Sequence, residues 1–262
     1  MFSLNEIFNL VKGNDWQIIQ RIESGWTNFV FEVLIDNDFF VVRFPKTIFF
    51  SEQIERDVIA SNFLYEKLNI PTSKMQLKYY NDKPYSIHKK LIGNSLDKVM
   101  PLTKEQIDKN SIKIAEYFHK IHSCPLSAIP KELQIRQYDI LSNLPKSNPS
   151  RYDYTVFDNL LKDEKEEKQV FINGDITIKN IICNEDKEVI SFIDFSFCGI
   201  GDIYTDLAVI SCLFVSDYFF NKILEEYEKL SNIKLNREKI QDRIKMRNYI
   251  NQEYIRFMEE SK

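Results

Sequence analysis

Hydrophobic spacing divides the chain into a strand-rich first third and a mainly helical remainder. Ser3 can cap a short opening helix that carries Ile7, Phe8 and Val11, and Gly13-Asn14-Asp15 ends it. From Trp16 to Phe44 the pattern turns to short β-branched and aromatic runs, WQIIQRIE, FVFEVLI and FFVVRF, which read as strands. The segment ESGWTN, residues 23–28, turns between the first two runs, and Asp36-Asn37-Asp38 turns between the second and third. Ile54, Val58, Ile59 and Leu64 predict a helix over residues 51–68, with Pro71 after its end. Two more strands are expected at residues 75–79 and 84–88, followed by the connector Lys89-Lys90-Leu91-Ile92-Gly93.

Beyond the connector, Thr103-Lys104-Glu105-Gln106 is a capping box that opens a helix running to His122. Its apolar face is Ile107, Ile114, Ala115, Phe118 and Ile121. Further helices are expected at residues 136–144, 152–168, 202–215, 218–230 and 237–259. Between them lies a compact β unit: Val170-Phe171-Ile172, the loop NGDITIKN, Ile181-Ile182-Cys183, a turn at Asn184-Glu185-Asp186, and VISFIDF. The expected fold class is α+β, with residues 1–92 as a small antiparallel-sheet lobe, a hinge near 89–93, and residues 93–262 as a larger helical lobe.

Composition narrows the classes. The 262 residues include only 6 Gly, and 44% are hydrophobic, which excludes collagen-like and disordered chains. A net charge of -4 carries no basic excess, so no nucleic-acid partner is expected. The N-terminus has no basic start and no apolar core of a signal peptide, and the longest apolar run, residues 207–220, is broken by Ser211, Ser216 and Asp217. A cytoplasmic protein with no membrane partner is expected, its four cysteines, Cys124, Cys183, Cys198 and Cys212, remaining reduced.

The candidate chemistry lies in FINGDITIKNIICNEDKEVISFIDFSFCGIGDIYTDL, residues 171–207. Asp175 is followed by Asn180 and, after a hairpin, by Asp194 at a strand end. An Asp and an Asn across a short loop, with a second Asp beyond, can converge on one point. Oxygen ligands of this kind suit Mg²⁺, which keeps waters and phosphate oxygens in its shell. Phosphoryl transfer needs such parts: a base for the acceptor hydroxyl, an Asn and an Asp for metal, and a cation for the phosphates. His119 and His122 sit three apart on a helix without acidic or Cys partners, so they read as core or capping residues, and the charged run at 162–168 reads as a solvated helix face.

These motifs resemble the aminoglycoside phosphotransferase and small-molecule kinase family, relatives of the protein kinases. The family's His-Gly-Asp-x-x-x-x-Asn loop stands here as Asn173-Gly174-Asp175 through Lys179-Asn180, with Asn in place of His. Its Ile-Asp-Phe/Trp motif stands as Ile193-Asp194-Phe195, and its later Gly-Asp-x-x-x-Asp-Leu-Ala as Gly201-Asp202 through Asp206-Leu207-Ala208. The resemblance implies a two-lobed protein-kinase-like fold and transfer of the γ-phosphate of ATP or GTP to a small-molecule hydroxyl. It makes Asp175 the catalytic acceptor of the hydroxyl proton and Asn180 and Asp194 the metal ligands. It places Arg43 over the phosphates, with Lys46 as competitor, oriented by Glu55, with Glu52 as rival. Ser24 lies in the nucleotide-facing turn, and the main chain of Lys89 and Leu91 would meet the adenine edge. Asp206 would brace the catalytic loop. The favoured acceptor is a cationic aminoglycoside, giving antibiotic resistance, with Glu253, Glu259 and Glu260 as candidate acids facing it. The alternatives are a metabolic kinase for choline, a sugar or an amino alcohol, and a nucleotide-binding protein without turnover, which Asn173 would favour.

Overall fold

The computed structural model describes residues 2–23, 25, 27–137, 154–211 and 216–260. The chain separates into two compact units, Met1–Gly93 with Ser191–Ser196, and Asn94–Ile190 with Phe197–Lys262.

The first unit begins with α1 (Leu4–Gly13), which carries the expected capping box. The Glu6 N–H donates to Ser3 Oγ at 3.2 Å, and the Ser3 N–H donates to Glu6 Oε2 at 2.8 Å. Five strands follow: β1 (Gln17–Ile22), β2 (Asn28–Ile35), β3 (Asp38–Pro45), β4 (Met75–Tyr80) and β5 (Lys83–Lys89). They form one antiparallel sheet in the order β1-β2-β3-β5-β4. The period of two sends Phe31 and Val33, Val42 and Phe44, and Tyr85 and Ile87 to one face, where they bury with Phe2, Ile7, Leu10 and Val11. Phe8, expected on that apolar stripe, is 48% exposed, because the stripe is narrower than the sequence suggests. Arg43 alternates with Val42 and Phe44, so it leaves the sheet by the other face, where α2 (Phe49–Leu68) packs on β3, β4 and β5.

Both tight hairpins of this sheet turn without glycine. Asp36 and Asn37 join Ile35 to Asp38 with φ of 49 and 68, and Asn81 and Asp82 join Tyr80 to Lys83 with φ of 49 and 59. Two-residue hairpins need such positive φ values, which Asn and Asp tolerate best after glycine. Of the described non-glycine residues with positive φ, all are Asn or Asp except Lys187.

In the second unit, α3 (Leu96–Val99) and α4 (Lys104–His122) lead to α5 (Tyr154–Glu166), α6 (Ile203–Ser211), α7 (Asp217–Ser231) and α8 (Arg237–Glu260). The α4 capping box is present, with Gln106 N–H to Thr103 Oγ1 at 3.2 Å. Helix α4 packs on α7, and α6 packs on α8. Strand β6 (Asn94–Ser95) pairs with β8 (Ile181–Cys183), which neighbours β9 (Val189–Phe192). Strand β7 (Val170–Ile172) pairs with β10 (Gly199–Gly201), a strand the sequence pattern missed because Gly-Ile-Gly carries no β signature. The helix expected at 136–144 lies mostly outside the described residues, as does the end of the one expected at 202–215. Cys124, Cys183 and Cys198 are buried free thiols, and Cys212 lies outside the described residues. Among the described residues no helix is long and apolar enough to cross a membrane.

Candidate active site

The candidate residues fall in both units. In the first, Arg43 points from β3 at α2, and its guanidinium pairs with the fully buried Asp57. A second guanidinium nitrogen lies 3.6 Å from Asp194 Oδ1. Asp57 also takes the Phe195 N–H at 2.7 Å, so one carboxylate fixes both the cation and the segment bearing Asp194. Burial opposes the Arg43 charge, but Asp57 and then Asp194 overcome it and hold the guanidinium proton more tightly than usual. Asp194 is partly exposed, stands at φ 64, and accepts the Ser196 hydroxyl at 3.0 Å.

The acid facing Arg43 is therefore Asp57 and not Glu55. Glu55 accepts a hydrogen bond from the Tyr79 hydroxyl at 3.1 Å. Two positions on a helix are about 200° apart, so both acids cannot face the sheet. The distinguishing signal was present in the sequence. Asp57 lies three residues after Ile54 and seven before Leu64, on the apolar stripe, where an acid needs a buried partner. Glu52, the rival, is exposed. Lys46, the competing cation, donates to the Gly25 carbonyl at 2.5 Å and lies over the Phe29 ring, so it serves the β1–β2 turn. Ser24 in that turn lies outside the described residues.

At the connector, Lys89 ends β5 and its carbonyl accepts the Ser73 hydroxyl at 3.2 Å and His88 Nδ1 at 3.0 Å. The Lys90 N–H donates to the Phe39 carbonyl at 2.8 Å, and Leu91 lies past the sheet. Burial drives the His88 pKa down to about 4 against the opposing Lys89 carbonyl, and the Arg43 charge adds to the fall. The unfolded imidazole protonates near its ordinary value of 6.5, so between pH 6.5 and 4 the unfolded chain binds more protons. Stability is thus full above pH 6.5 and declines as pH drops toward 4, by up to about 3 kcal/mol. His88→Gln is expected to flatten that slope in urea unfolding between pH 4.5 and 7; an unchanged slope would place the titrating group elsewhere.

In the second unit the loop from Asn173 to Asn180 is held from several sides. The carboxylate of the fully buried Asp206 accepts the Asn173 N–H at 2.8 Å and the Gly174 N–H at 2.6 Å. It also meets His122 Nε2 at 3.1 Å, and His122 Nδ1 meets the Tyr227 hydroxyl at 2.9 Å. Gly174 has φ +80, and a Cβ there would lie 2.6 Å from the Phe197 carbonyl oxygen, so no other residue fits without distortion. Asn173, in the position of the family's His, donates to the Tyr117 hydroxyl at 2.6 Å and accepts the Asp175 N–H at 2.9 Å. Its amide thus supports the loop on both sides. Asn180 Nδ2 donates to the Asp175 carbonyl at 3.0 Å, which commits its nitrogen and turns its oxygen the other way.

The Asp175 side chain is met by Arg247 of α8, which no motif indicated. One guanidinium nitrogen pairs with Asp175 Oδ1, and the other donates to the Gly174 carbonyl at 3.1 Å, where Gln137 also donates at 3.1 Å. A faint signal existed: Lys239, Arg243 and Arg247 recur at every fourth position, on one helix face. Lys239 pairs with Glu167, and the buried Arg243 pairs with Asp202 through two nitrogens at 2.7 Å. Asp202 in turn caps α6 by accepting the Thr205 N–H at 2.8 Å. The side chains of Glu253, Glu259 and Glu260 lie outside the described residues.

The model of the phosphotransferase enzyme family matches residues 18–230. Among solved structures, the GDP and kanamycin complex of APH(2")-IIia aligns with a TM-score of 0.71 at 15% identity, over 96% of this chain and 90% of that one. Choline kinase LicA from Streptococcus pneumoniae aligns with a TM-score of 0.70 at 16% identity, over 98% of this chain and 91% of that one. A macrolide 2'-phosphotransferase type I aligns with a TM-score of 0.66 at 16% identity, over 91% and 86% of the two chains. No curated protein sequence is significantly similar. At these identities the structural likenesses establish a shared kinase-like fold, and the family model covers most of the chain. The antiparallel sheet, the helical second unit and the Asp175–Asn180 loop accordingly place this chain in the phosphotransferase enzyme family.

Proposed function

We propose that the protein transfers the γ-phosphate of ATP or GTP to a hydroxyl of a small molecule. The observation that carries this reading is the loop from Asn173 to Asn180, whose hydrogen bonds at both ends hold the backbone that presents Asp175. The acceptor oxygen attacks the γ-phosphorus, the bond from that phosphorus to the bridging β-phosphate oxygen breaks, and the hydroxyl proton passes to the Asp175 carboxylate. Arg43, held by Asp57, neutralises phosphate charge. On this reading Ser24 and Gly25 would face the phosphates, and the main chain of Lys89 and Leu91 would meet the base, within a nucleotide-binding lobe of residues 1–92.

Asn180 and Asp194 are the residues that would hold Mg²⁺. Their fit rests on donor chemistry: an amide oxygen left by a committed amide nitrogen, and a partly exposed carboxylate, both hard oxygen donors. When bound, Mg²⁺ draws charge from the phosphate oxygens.

The aminoglycoside acceptor is supported by the solved complexes of similar fold with kanamycin and streptomycin, and the choline alternative by the choline kinase. Turnover, rather than binding alone, is supported by Asn173, whose amide makes two of the bonds that hold the loop. The test is nucleoside diphosphate release with ATP and GTP against aminoglycosides, choline and sugars. Acceptor-dependent release that stops on chelating Mg²⁺ is expected. Absence of release with every acceptor in the panel would instead favour nucleotide binding without turnover.

A further inference from the structure

Arg247 stands where the reaction proposed above would bring an acceptor. Its guanidinium holds the carboxylate of Asp175 and the carbonyl of Gly174 together, and its side chain is only 13% exposed. The helix that carries it is anchored one turn earlier by the buried Arg243–Asp202 pair and two turns earlier by Lys239–Glu167. Arg247 is thus set on a fixed support, and its charge belongs to the permanent surroundings of Asp175.

That charge has a consequence for the acceptor. An ammonium group beside the accepted hydroxyl would meet a guanidinium and a carboxylate already neutralised by it. A planar guanidinium fork instead suits oxygen acceptors: carboxylate, phosphate or neutral hydroxyl groups. Resting on the phosphotransferase reading, we propose that Arg247 is a specificity-determining residue that selects acceptors whose reacting hydroxyl is flanked by neutral or anionic oxygen, and disfavours those flanked by an amine. The acceptor class is then a polyol, a sugar or a hydroxy acid.

The test compares nucleoside diphosphate release with ribose, glucose and glycerate against kanamycin and choline, in the wild type, Arg247→Gln and Arg247→Lys. The wild type is expected to favour one of the first three by at least tenfold in kcat/KM. Arg247→Gln should raise KM for that acceptor at least tenfold and lower it for the amines, a split that general loss of structure would not produce. Arg247→Lys, which keeps the charge without the fork, should continue to reject the amines and recover only part of the affinity. Thermal unfolding of each variant shows that it is folded. A wild type that prefers kanamycin or choline overturns this inference alone, as does an Arg247→Gln that lowers kcat equally for every acceptor with KM unchanged. Release with none of the five overturns the phosphotransferase reading and this inference with it.

Discussion

Replacing Asp175 by Asn is expected to lower kcat by about 10²–10⁴-fold while leaving the fold and nucleotide affinity in place. The amide keeps the shape of the side chain and an oxygen for Arg247, so the pairing to α8 survives in neutral form. It loses the ability to take the acceptor's proton. Asp175→Ala goes further and strips Arg247 of its carboxylate while leaving it the Gly174 carbonyl, so it is expected to show equal or greater loss with lower stability. Steady-state kinetics with the best acceptor, beside calorimetric titration of the nucleotide, separates these effects. A kcat for Asp175→Asn within tenfold of wild type would remove Asp175 from the role of proton acceptor.

Asp206→Ala should destabilise the second unit by about 3–5 kcal/mol. Its carboxylate is the common acceptor for the N–H groups of Asn173 and Gly174 and for His122, all in a fully buried setting. Each buried donor left unpaired costs about 1–3 kcal/mol, and three are left at once. Asp206→Asn retains one accepting oxygen and should lose roughly half as much. Urea unfolding followed by far-ultraviolet circular dichroism measures both. A change below about 1 kcal/mol for Asp206→Ala would mean that the loop is braced by Tyr117, Gln137 and Arg247 without it.

The family and the sheet were legible because they depend on local order. Asp175, Asn180, Asp194 and Asp206 sit at characteristic spacings, and β2 and β3 are short runs of β-branched and aromatic residues. Partners supplied by distant elements were less legible. The family resemblance points to Glu55, whereas helical phase relative to Ile54 and Leu64 selects Asp57. Arg247 lies 72 residues from Asp175, and nothing in its own neighbourhood marks it except the four-residue recurrence of cations along α8. Strand β10 was missed because tertiary pairing with β7, and not side-chain preference, makes Gly-Ile-Gly extended.

The Asn and Asp residues at the hairpin tips bear on the unfolded chain as well as on the folded one. Glycine would adopt the same left-handed angles with less strain, yet it would also give the denatured chain many more conformations to surrender. By placing Asp36, Asn37, Asn81 and Asp82 there, the chain narrows its denatured ensemble at the points where the sheet reverses direction. Each such position shifts the balance by a few tenths of a kcal/mol to about 1 kcal/mol, partly offset by the strain of positive φ. Part of the first unit's stability therefore resides in a smaller loss of backbone entropy on folding, which no contact within the sheet records.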